Sequence, residues 1–71
     1  MKRYFEFVSD TSAKFWEIAT NGNEVAVRFG RIGTEGQTQV KTLVDAGTAI
    51  RHAGKLVASK MAKGYCEMAA C

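Results

Sequence analysis

The sequence predicts an α+β domain: an antiparallel sheet of four to five strands with one amphipathic helix packed on one face. Three observations carry this. Residues 3–43 hold short segments in which apolar and polar residues alternate with period two, separated by turn signals. From Asp45 onward the apolar residues recur at helical spacing instead. No proline interrupts either pattern. The 71 residues make a single domain, 1–71. A chain this short buries only about three fifths of its unfolded surface, which leaves no room for a deep catalytic cleft.

The first strand is expected over Arg3–Ser9, with Tyr4, Glu6 and Val8 on one side and Phe5 and Phe7 on the other. Ser9-Asp10-Thr11-Ser12 follows, four residues whose short polar side chains bond to nearby backbone and favour a turn. The second strand runs over Lys14–Thr20, setting Trp16 and Ile18 against Phe15 and Glu17. Asn21-Gly22-Asn23 is a hairpin signal, because tight turns between antiparallel strands need positive φ. Glu24–Ile32 is then the third strand, with Val25, Val27, Phe29 and Arg31 on one face and Ala26, Arg28 and Gly30 on the other. Gly33 to Gly36 turns the chain into a fourth strand over Thr38–Leu43.

Helical spacing begins at Asp45, a suitable N-cap, and places Ala46, Ala49, Ile50, Ala53, Leu56, Val57, Lys60 and Met61 on one stripe. Arg51, Lys55, Ser59 and Lys63 face outward, and Gly64 is the expected stop. Gly54 inside the helix suggests close packing on the sheet. Tyr65–Met68 is long enough for a short fifth strand. The uncovered sheet face is expected to be free for binding.

Ten Lys and Arg against seven Asp and Glu give a formal net charge of +3, which favours an anionic partner. The positive charges are scattered along the chain, so only the fold decides which share a face. Cys66 and Cys71 would close a very small loop and are expected to be free thiols, which points to a reducing cytoplasm. His52 alone cannot complete a zinc site with them, and no metal or other cofactor is expected. No apolar stretch is long enough to span a bilayer, and no membrane association is expected. Neither a Ser/His/Asp set, a Cys/His pair nor a phosphate-loop glycine pattern is present, so an enzyme is not expected.

The most informative stretch is Phe29-Gly30-Arg31-Ile32-Gly33-Thr34-Glu35-Gly36-Gln37. It ends a strand with an aromatic ring and a guanidinium two residues apart, beside a glycine-lined turn that a bulky partner could approach closely. Together with Ala13-Lys14-Phe15-Trp16-Glu17-Ile18 and a helix running into Lys63-Gly64-Tyr65, it resembles the WGR domain family, the small module named for a Trp-Gly-Arg triplet. The resemblance implies an antiparallel sheet with one helix. It also implies two settings: DNA-dependent poly(ADP-ribose) polymerases, where such modules grip the end of a broken strand, and bacterial proteins resembling a regulator of molybdate metabolism or consisting of little else. A small free-standing chain resembles the second.

Two positions depart from the family pattern. Phe29 stands where the triplet has Trp, keeping a flat apolar face but lacking an indole N–H donor, and Ala13 stands where the polymerase modules tend to have Asn. On this basis Arg31 and Lys14 are expected on phosphates and Phe29 against a terminal sugar, with Gly30, Arg28, Lys41 and Tyr65 as further nucleic-acid-binding candidates. A guanidinium offers a planar fork of donors that matches phosphate oxygens. The expected partner is DNA at ends, nicks or gaps. The rival is a protein-interaction adaptor, and an open strand edge would also allow a weak homodimer rather than a monomer.

Overall fold

Period-two alternation becomes pleat in the computed structural model, which describes residues 2–68. The elements are β1 (Lys2–Val8), β2 (Ala13–Asn21), β3 (Glu24–Arg31), β4 (Gln37–Thr42), α1 (Ala46–Ala62) and β5 (Cys66–Glu67). They form one five-stranded sheet in the order β4-β3-β2-β1-β5, antiparallel at every pairing. Strands β1 to β4 are a meander. The helix then carries the chain back across one face so that β5 pairs with the outer edge of β1.

Register decides which side chains are buried. Phe5 lies opposite Trp16, Trp16 opposite Phe29, and Ile18 opposite Val27, so these residues share the helix-bearing face. There Phe5, Trp16, Ile18, Val25, Ala49, Ala53 and Val57 form the buried core, flanked by the partly buried Val27, Phe29, Leu43, Leu56 and Tyr65. Removing Phe5, Ile18 or Val25 from water contributes roughly 1.5–3 kcal/mol each, the main stabilising term of so small a domain. The stripe on α1 is narrower than its spacing suggests: Ile50 and Met61 are exposed, because the helix rests over β2 and β3 on its alanine ridge.

Both helix ends follow the sequence signals. The Asp45 carboxylate accepts from the Thr48 backbone N–H at 2.7 Å, and that bond holds its pKa below the usual carboxylate value. At the other end Gly64 takes a φ of 103°, while Tyr65 N–H donates to the Lys60 carbonyl and Gly64 N–H to that of Met61. Between β2 and β3 the positive φ falls on Gly22 alone, at 60°. Asn23 instead donates its side-chain amide to the Leu43 carbonyl at 3.0 Å, tying the hairpin to the end of β4.

Two expectations are corrected here. Gly54 does not pack on the sheet: it is exposed, and a Cβ placed on it would meet nothing within 4 Å. Gly54→Ala is therefore expected to raise stability by about 1 kcal/mol through helix propensity alone, read as a higher denaturant midpoint with unchanged slope. Cys66 is not a free thiol but part of a disulfide, and the thiol argument for a reducing compartment goes with it. Cys71 lies outside the described residues.

The short β5 is held by a bidentate ion pair. Arg3 Nε donates to Glu67 Oε2 at 2.8 Å and Nη2 to Oε1 at 2.6 Å. These bonds lower the Glu67 pKa. A lowered folded-state carboxylate value means the stabilisation is complete above the ordinary glutamate range and is lost as pH falls through that lowered value. The Met68 amide, which donates to the Tyr4 carbonyl at 3.1 Å, is expected to lose exchange protection over that acidic window. Glu67→Gln should remove the pH dependence.

Candidate nucleic-acid interface

The open sheet face, expected to be free for binding, is occupied by its own network. Arg28 lies there, 4.6 Å from the centroid of the Phe15 ring, with Nε donating to Glu17 at 3.2 Å and Nη1 to the Glu35 carbonyl at 2.8 Å. Tyr4 stacks on Phe15 and donates its hydroxyl to Glu6 at 2.9 Å. Burial, then the Glu6 bond, raises the Tyr4 pKa. Glu6 and Glu17 make this face a poor one for a polyanion. The guanidinium of Arg28 braces the 33–36 turn from below rather than reaching toward Arg31.

Lys14, Phe29 and Arg31 lie on the other side, on the helix-bearing face at one end of the sheet. Lys14 and Arg31 are cross-strand partners. The Ile32 N–H donates to the Ala13 carbonyl at 3.0 Å, which makes Arg31 and Lys14 a non-hydrogen-bonded pair with Cα atoms about 4.5 Å apart, the closer of the two antiparallel spacings. Both side chains are exposed, and among the described residues neither meets a carboxylate within ion-pair distance. With Thr11, Ser12 and Ala13 they line a shallow depression at the sheet end. Phe29 is two residues before Arg31 on the same face, half-buried: one side packs against the core while the rest remains accessible.

The helix adds what the sequence reading left out. Its C-terminal turn ends over the start of β2, so Lys60 Nζ lies 5.2 Å from the Tyr65 ring centroid and 5.7 Å from that of Trp16. Burial lowers the Lys60 pKa, and the charges of Lys63 and Lys14 lower it further. Four cations thus crowd one end of one face: Lys14 and Arg31 from the sheet, Lys60 and Lys63 from the helix. One signal was available. Lys60 occupies a position of the apolar stripe, where a lysine has to reach past rings toward solvent. Tyr65 joins this end through its contact with Phe7, whereas Lys41 lies opposite Val25, toward the far end of the sheet.

The glycines serve the turn itself. Gly33 and Gly36 have φ of 96° and 73°. Thr34 donates both its N–H and its hydroxyl to the Arg31 carbonyl, at 3.1 and 2.7 Å, closing the bend around Gly33. Gly36 then lies on Gly30: a Cβ on Gly30 would come within 2.7 Å of the Gly36 Cα, and one on Gly36 within 2.7 Å of Phe15 Cζ. The close approach expected of an outside partner is made by the chain to itself. β3 pairs regularly through Arg31, with no bulge at Gly30.

An antiparallel meander with one returning helix, and a strand-turn carrying Phe-Gly-Arg beside a second basic strand end, mark a small α+β module of a nucleic-acid-binding type. The chain belongs to the WGR domain family, whose model matches residues 1–70. It is 40% identical over 67 residues to Protein YehF of Escherichia coli K12, covering 94% of this chain and 24% of that one. It is 39% identical to the uncharacterized protein YfeS of the same organism, covering 94% and 28%. A Bacteroides fragilis protein of known crystal structure shares 52% identity at a TM-score of 0.93, over 94% of this chain and 19% of that one. The chain therefore spans about a quarter of the length of these curated relatives. Among its described residues no helix is long and apolar enough to cross a membrane.

Proposed function

We propose that this domain recognises DNA ends, nicks or gaps through phosphate and sugar contacts, without sequence specificity. Arg31 and Lys14 take phosphates, and Phe29 packs its accessible edge against a terminal sugar. The observation that carries this is the cross-strand couple, which has no ion-pair partner among the described residues. Like charges placed directly opposite each other in a sheet are destabilising, and here the two are held about 4.5 Å apart at Cα with two more lysines approaching from the helix. An anion between them relieves that repulsion. A phosphate chain supplies such anions at regular spacing, and contacts of this kind position a protein without reading bases.

Titration of labelled nicked, blunt-ended and closed circular duplexes at two salt concentrations tests the proposal. Nicked and blunt DNA should bind more tightly than closed circles, and affinity should fall with salt with a slope set by a few neutralised phosphates. Equal binding to all three would reduce the interaction to nonspecific attraction. No binding even at low salt would remove it.

A further inference from the structure

The helix covers β2 and β3 but leaves the β3–β4 part of the same face open. Between α1 and β4 runs a groove of ≈ 780 Å³ floored by Val25, Val27, Phe29 and Leu56. That size suits a small organic group, and the lining is mainly apolar with a few polar groups at its edge. Lys60 stands at the end nearest Arg31, His52 partway along, and Lys41 at the far end. Gln39 offers an amide from the β4 wall, and no carboxylate is among the described residues lining the groove.

We infer that this groove takes a short unpaired single-stranded extension running from a DNA terminus, its bases against the apolar floor and its phosphates along the cationic rim. The inference rests on the DNA-end reading above and extends it. Phe29 belongs to both places: it stands two residues from Arg31 and also forms one end of the groove floor. A strand end held at Arg31 and Lys14 thus has a continuous path along β3. The charge pattern favours this occupant. A floor that includes an aromatic ring, with a lysine at each end and no carboxylate among its described lining residues, is the arrangement single strands use, stacking supplying affinity and phosphates supplying direction. Trp16 is nearly fully buried, so Phe29 is the ring available for stacking.

The test compares blunt duplexes with duplexes carrying a two-nucleotide extension of either polarity, with 2-aminopurine as the extended base. The extension should tighten binding by about tenfold, within the contribution expected from one base stacked on an aromatic ring. The 2-aminopurine emission should fall on binding. Gln39→Glu, which changes an exposed β4 side chain, should abolish the gain and the quenching while blunt-end binding persists. Equal affinity for blunt and extended duplexes, or a gain that survives Gln39→Glu, overturns the groove assignment and leaves the end grip standing. Amide shifts at residues 25–29, 39 and 56 produced by an acidic amphipathic peptide but not by the extended duplex would overturn it in favour of a protein occupant. Failure of both duplexes to bind removes the underlying reading and this one with it.

Discussion

Gly36→Ala should cost about 2–5 kcal/mol of stability, the largest single effect expected in this chain outside its core. Two costs add. A φ of 73° places an alanine in the left-handed region, at roughly 1–2 kcal/mol. The new methyl would also meet the Phe29 carbonyl oxygen and Phe15 Cζ, and overpacking of this kind costs about 1–3 kcal/mol. A domain of this size has only about 4–10 kcal/mol in total, so a substantial unfolded fraction is expected at physiological temperature. Gly33→Ala is the internal control. Its φ of 96° carries similar backbone strain, but its Cβ would meet nothing within 4 Å. Chemical denaturation should place Gly36→Ala well below Gly33→Ala. Equal losses would show that positive φ alone, and not the packing against Gly30 and Phe15, sets the requirement.

Arg31→Ala should weaken binding to nicked duplex by about 10- to 100-fold, the range for removing charge-assisted hydrogen bonds of roughly 1.5–3 kcal/mol to a phosphate. The slope of log affinity against log salt should shrink by about 0.9 for each phosphate that is no longer neutralised. Lys14→Ala should do the same with a smaller effect, since an ammonium acts as a point charge without the planar fork. Stability should move the other way. Removing one of two facing like charges relieves repulsion worth a few tenths of a kcal/mol, so the melting temperature should hold or rise slightly. Reduced affinity at undiminished stability is the signature of a position kept for binding. Arg28→Ala is the counterpart: it breaks the bonds to Glu17 and the Glu35 carbonyl, so its main effect should be on stability.

The sheet was legible because its burial is one-sided. Phe5 and Phe7, then Trp16 and Ile18, then Val25, Val27 and Phe29 all fall on the helix side, and period two recovers them strand by strand. The helix ends were legible from Asp45 and Gly64, whose roles depend on local backbone bonds. What could not be read were relations between distant segments. Lys60 reaches the Lys14 end only because α1 runs back along β2, and nothing in the local sequence states its direction. Alternation set Arg28 and Arg31 on opposite faces, but it could not show that Arg28 braces the turn through Glu17 and the Glu35 carbonyl, because those partners come from other segments. Phe15 showed the correct side but not its fate. It is buried on the otherwise open face because Gly36 folds over it, an approach between residues twenty-one apart.

Where a DNA terminus touches the sheet decides between the two faces. Backbone amide shifts recorded while a 5′-phosphorylated nicked duplex is added to isotopically labelled protein address that directly. The prediction is a set of shifts at residues 14, 29, 31 and 60, on the helix-bearing face at one end. Shifts confined to the opposite face, around Phe15, Glu17 and Arg28, would contradict it, as would saturation without any change at Lys14 and Arg31.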